Sequence, residues 1–154
     1  PILEKFDTPS NQRQDINTNP DPYNQTTPSE IGILLEDLYL CAKDGGGSLI
    51  AAFPGKITQQ ECQEMVTYLT KNKMPSLLEA GIPDGTQIAH KHGWVTNEGV
   101  INLLGDAGIV YTPGGDYVLA IFFYHPQQLI WDSASSLMGQ LSRAVYNFYN
   151  LPTP

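Results

Sequence analysis

At Thr86 the hydrophobic period of this chain changes, and that change limits what the chain can fold into. Upstream, apolar residues recur at three- and four-residue spacing, as one buried face of a helix requires. From Gln87 the spacing becomes that of a strand, and from Ala134 helical spacing returns. The predicted order is helix, helix, three antiparallel strands, helix. That order gives an α+β fold, an antiparallel sheet covered by a long C-terminal helix and by N-terminal helices.

The helix starts are written in the local sequence. Thr27 is an N-cap, Pro28 fits the first helical position, and Glu30 completes a capping box. Ile31, Leu34, Leu35, Leu38 and Ala42 then form one face, and Gly45, Gly46 and Gly47 end the helix. Thr58 and Glu61 repeat the signal, followed by a stripe of Cys62, Met65, Val66 and Leu69. A short third helix is expected over Pro75–Ala80, ending at Gly81. The last helix is expected to be capped by Asp132 and to end at Asn150 and Pro152. Its stripe is Ala134, Leu137, Met138, Leu141, Val145 and Phe148.

Between these helices, Gln87–His92 reads as a strand and Asn97-Glu98-Gly99 as a turn. A hairpin follows, Asp106–Thr112 and Tyr117–Tyr124 around Pro113-Gly114-Gly115-Asp116. In its second strand both alternating sets are apolar, so both faces are expected to be covered. Three strands are few for such a sheet, which points to further strands supplied from elsewhere. Residues 1–27 carry Pro9, Pro20 and Pro22 among polar residues and show no period. They read as an extended loop held to the body by Phe6 and Tyr23, with residues 28–154 as part of a single domain.

Composition narrows the function. A net charge of −8, with eight scattered Lys and Arg, offers no patch for a phosphate backbone or an anionic membrane. No apolar run approaches membrane-spanning length. The chain begins at Pro1, with no initiator Met and no signal-peptide pattern, so a fragment or processed product is expected. Two cysteines lack metal-ligand spacing. Cys41 near one helix end and Cys62 in the next helix's first turn are either buried thiols or a bridge between antiparallel helices.

The chemistry concentrates in His90-Lys91-His92-Gly93-Trp94. Strand alternation puts His90 and His92 on one face and Lys91 on the other. One reading is a His-x-His metal pair with His125 or Asp106 as a third ligand. A second is a polar, solvated strand end. The third is an anion-holding strand, with Lys91 as cation and His92 as side-chain donor. Gly93 would then be an unobstructed edge against which a substrate can lie. The Trp94 N–H would point at a developing oxyanion.

Lys91-His92-Gly93 resembles the Lys-Thr/Ser-Gly motif of class A β-lactamases and penicillin-binding proteins. The likeness extends along most of the chain. Thr26-Thr27-Pro28 looks like the helix start after the family's omega loop, which would make residues 1–27 the omega-loop region. Ile57–Leu78 looks like the helices that follow, and Ile82-Pro83-Asp84-Gly85 like the approach to the lysine strand. Asp106-Ala107-Gly108-Ile109-Val110-Tyr111-Thr112-Pro113-Gly114-Gly115 is similar to the hairpin of β-lactamase-like bacterial serine hydrolases.

The resemblance implies an incomplete β-lactamase/transpeptidase-like fold, the C-terminal half of a domain that acts on an amide or ester through an acyl-enzyme. Lys91 and the Trp94 N–H would serve catalysis, His92 and Gly93 substrate binding, with no metal and no cofactor. The partner implied is the N-terminal half, carrying Ser-x-x-Lys and Ser-Asp-Asn. The substrate would be a small molecule or peptidoglycan-like, and the location periplasmic or extracellular. No nucleic acid and no membrane contact is implied for this segment.

Neither partner motif occurs in this sequence. The family's deacylating Glu is not identifiable either. Its expected position falls near Asn11, with Asp15 the acidic residue of the neighbourhood. His92 replaces the usual Thr or Ser, keeping one donor in a bulkier, pH-sensitive form. The alternative is a non-catalytic penicillin-fold module that binds cell-wall peptide or a protein.

Overall fold

Two capping boxes set the helical part of the computed structural model, which describes residues 26–97 and 99–151. In the first, Thr27 Oγ1 accepts from the Glu30 N–H and the Glu30 carboxylate accepts from the Thr27 N–H. It opens α1 (Pro28–Asp44), which Gly45 closes in the left-handed conformation. Thr58 and Glu61 make the same exchange at the start of α3 (Gln59–Thr70). Between them lies α2 (Ser48–Ala52), a single unpredicted turn after the glycines. Residues 1–25 of the expected 1–27 loop, with Phe6 and Tyr23, and the stop at Pro152 lie outside the described residues.

Cys41 and Cys62 are disulfide-bonded across a Cα–Cα distance of 5.9 Å. Of the two readings of the cysteines, the bridge is the one observed. Both residues are fully buried among Leu38, Leu49, Ile57, Val66 and Leu69, so α1 and α3 are joined through an apolar seam.

The expected third helix is reduced to a 3-10 turn, Glu79–Gly81. The reason is local. Leu77 has φ of 84°, which no α-helix accommodates. Both Leu77 and Leu78 are fully buried, so the chain holds that conformation by inserting two side chains into the core.

The sheet is an antiparallel meander, β1 (Gln87–Asn97), β2 (Val100–Tyr111) and β3 (Tyr117–Tyr124), in the order β1-β2-β3. Both β1 and β2 run longer than expected, meeting at a turn where Gly99 takes φ of 82°. The apolar set Leu119, Ile121 and Phe123 of β3 packs toward Met138 and Ala134, while Val118 and Ala120 pack toward Leu35. The double covering read from β3 is present.

The last helix, α4 (Trp131–Tyr149), starts one residue before the expected cap. Ile130 occupies the cap position with no side-chain hydrogen bond, and Asp132 instead lies in the first turn. A carboxylate there complements the helix dipole, which is why the same residue mimics a cap in the sequence. Helix α4 crosses the 3-10 turn closely. A Cβ at Gly81 would stand 2.5 Å from Ser142 Cβ and 2.6 Å from the Arg143 nitrogen. Ser142 Oγ donates to the Leu78 carbonyl and Arg143 Nε to the Gly81 carbonyl.

Several stripe residues expected in the core are exposed: Leu34, Met65, Leu137, Leu141 and Phe148, the last at 71%. The buried line of α4 runs through Ala134, Met138, Gly139 and Ser142, so it takes up only part of the expected stripe.

Candidate functional site

Register places the central stretch. His90, His92 and Trp94 of β1 stand opposite Gly108, Asp106 and Leu104 of β2. Partners in an antiparallel pair share a face, so Asp106 lies beside both histidines. Gly108 makes room for His90; a Cβ there would meet His90 Cβ at 2.6 Å.

His90 and Asp106 are completely buried and paired, with His90 Nδ1 at 3.0 and 3.1 Å from the two carboxylate oxygens. His90 Nε2 lies 3.2 Å from the backbone carbonyl of Asn72, just beyond α3. Both partners can only accept, and between them they engage both ring nitrogens. The second Asp106 oxygen also accepts from the Leu78 N–H at 3.3 Å. His90 therefore has neither ring nitrogen free for a metal in this arrangement. Among the described residues no group of three His, Cys, Asp or Glu is placed to hold one. His125, the other suggested ligand, accepts from the Gln127 and Gln128 N–H groups through Nδ1.

His92 is half-buried and held on two sides. Its ring stacks on Trp94, with centroids 5.8 Å apart and planes 10° apart, and Trp94 meets Trp131 of α4 edge-on at 5.5 Å. Its Nδ1 faces the Asn72 amide nitrogen at 3.0 Å. Burial, followed by the charge of Lys91, holds the His92 pKa below the ordinary histidine value, with His90 acting the same way and Asp106 opposing. The unfolded chain takes up a proton near pH 6.5, whereas the folded chain does so only at lower pH. Between those values the unfolded state binds more protons, so stability falls as pH drops below about 6.5 and is unaffected by His92 above it. An NMR titration of His92 is expected to give a midpoint below 6.5, and His92→Gln is expected to flatten the urea midpoint against pH across that window. A midpoint above 6.5 would contradict this.

Lys91 is exposed on the opposite face, and its ammonium turns back to the His92 carbonyl at 2.7 Å. Gly93 is exposed, and a Cβ built on it meets nothing within 4 Å. The structure thus brings His92, Gly93 and Trp94 together along one strand that pairs on one side only among the described residues, with Lys91 folded to its edge. Asn72 was missed by sequence reasoning. A lone Asn past a helix end carries no signal, and only the tertiary fold brings it to β1.

The antiparallel sheet between helices matches the fold of penicillin-binding proteins and class A β-lactamases. The chain belongs to the β-lactamase enzyme family, whose sequence model matches residues 5–149. No curated protein matches it. Among solved structures it is similar to PBP-A, at 26% identity and a TM-score of 0.64, over 88% of this chain and 45% of that one. A PBP-A mutant in an acyl-enzyme complex with penicillin G is 27% identical, with a TM-score of 0.62 over 88% and 45% of the two chains. A class A β-lactamase from Bacteroides cellulosilyticus shares the fold at 22% identity and a TM-score of 0.63, over 85% and 44%. The chain therefore spans a little under half the length of the solved structures it matches.

Proposed function

We propose that this chain is the C-terminal portion of a β-lactamase-like serine hydrolase that cleaves an amide or ester, with its nucleophile on a segment outside the chain. The observation that carries the reading is the placement of Lys91-His92-Gly93-Trp94 on an edge strand with open space over Gly93. The serine hydroxyl of the N-terminal half would attack the carbonyl, and the C–N or C–O bond would break as the leaving group takes a proton. Water would then release the acid from the acyl-enzyme. Lys91 supplies positive charge at the strand edge. The Trp94 N–H, with that of the serine, stabilises the oxyanion. His92 donates to a carboxylate or other acceptor on the substrate.

The exposed apolar residues of α1 and α4 support a covering N-terminal half. The acyl-enzyme known for a PBP-A mutant supports the chemistry. The disulfide supports a periplasmic or extracellular location, because bridges persist in oxidising compartments.

The test is turnover of a chromogenic β-lactam and of an ester, by this chain alone and by the protein that includes the Ser-x-x-Lys segment. Turnover is expected only from the second. Hydrolysis by the chain alone would overturn the reading. Gly93→Val in that longer protein is expected to leave the unfolding free energy from urea titration within about 0.5 kcal/mol of wild type, since a Cβ at this position meets nothing within 4 Å. It should lower kcat/KM by at least about tenfold, by holding substrate off the strand.

A further inference from the structure

Asn72 has an orientation that its neighbours leave no choice about. Its amide nitrogen lies 3.1 Å from the His90 carbonyl oxygen, which only accepts, so that end of the amide must be the NH2 group. The same nitrogen lies 3.0 Å from His92 Nδ1. Having given one hydrogen to the His90 carbonyl, it has one left for the ring, and Nδ1 must accept it. The proton of the neutral His92 ring is then on Nε2, which has no hydrogen-bond partner among the described residues.

Asn72 is itself fixed from behind. Its own carbonyl accepts from His90 Nε2, and His90 is locked by the buried Asp106. Trp94 stacked on the ring sets its plane, and the Asn72 amide selects which edge faces inward. A chain of contacts thus runs from Asp106 through His90 and Asn72 to the exposed edge.

We propose that Asn72 is a positioning residue that holds His92 in its Nε2–H form, so that the strand edge presents a neutral donor selective for a substrate bearing a carboxylate. The threonine or serine hydroxyl that His92 replaces can both donate and accept; the clamped imidazole can only donate. The consequence is a site that favours an acceptor oxygen over a group that must itself donate. This selectivity rests on the reading of His92 as a substrate-binding residue, whereas the ring's protonation does not.

Two measurements separate the two. In histidine-labelled chain at neutral pH, nitrogen-15 NMR is expected to show His92 Nδ1 as unprotonated and Nε2 as protonated. In Asn72→Ala the two forms should exchange. A wild-type ring protonated on Nδ1, or an Asn72→Ala ring with the wild-type pattern, overturns the proposal whatever the enzyme does. In the longer protein, benzylpenicillin and its methyl ester serve as probes. Asn72→Ala is expected to lower the ratio of kcat/KM for the acid over the ester by about 5–10-fold, the worth of one oriented hydrogen bond. An unchanged ratio overturns the selectivity. Absence of reaction with either probe in the wild type overturns the hydrolase reading and leaves the NMR result to decide the role of Asn72.

Discussion

Replacing Asp106 by alanine is expected to destabilise the fold by about 3–5 kcal/mol, the cost of removing one partner of a fully buried, hydrogen-bonded pair. Asp106 and His90 have no exposed surface, and the carboxylate also satisfies the Leu78 N–H. Alanine would leave His90 Nδ1 and the Leu78 N–H without their shared partner in the core. Asp106→Asn is expected to cost less, because its amide oxygen still accepts one hydrogen bond while the charge is gone. The measurement is the urea midpoint of each variant, with the slope checked for constancy. A loss under about 1 kcal/mol for alanine would show that the pair does not hold the sheet. His92 should respond as well, since Asn72 is anchored to His90, and its NMR signal in Asp106→Ala should lose the wild-type pattern.

That pair marks the boundary of what the residues disclose before folding. The starts of α1 and α3, the strand with both faces apolar and the turn at Gly99 were legible, because each is decided within a few residues of chain. Asp132 misled for the same reason. An acid in the first turn and an acid at the cap look alike when only the neighbours are known. The Pro75–Ala80 helix failed because burying Leu77 and Leu78 outweighed local helical preference, a decision taken by the core. The stripes of α1 and α4 are buried only in part, because a stripe cannot say how much of itself will find a cover.

At the site the division is sharper. Alternation alone placed His90 and His92 on one face of β1 and Lys91 on the other. It could not say that one histidine is sealed in the core and the next is half-open. That follows from register, which sets Asp106 opposite His92 and Gly108 opposite His90. A slip of one residue would turn Asp106 to the other face and break the network. Asn72 was invisible because its partners are reached only once α3 has docked on the sheet.

Opening the Cys41–Cys62 bridge is expected to cost about 2–4 kcal/mol, with about 3 kcal/mol from loop-closure entropy over a separation of 21 residues. Reductant should lower the urea midpoint of the wild type and have no such effect on a Cys41→Ser/Cys62→Ser variant, which should start from the lower value. The cysteines also fill an apolar seam, so serine adds a small burial cost of its own, and the reductant arm isolates the bridge. The consequence reaches the site. Asn72 lies two residues past the end of α3, and the bridge is a covalent tie between α3 and α1, which itself packs on β2 and β3. Reduction should therefore weaken the Asn72 contact with His92, seen as loss of the single NMR pattern well before the chain unfolds. A reduced protein as stable as the oxidised one would remove both this coupling and the physical argument for an oxidising compartment. A protein that loses His92 order on reduction would need that compartment in order to keep this strand edge formed.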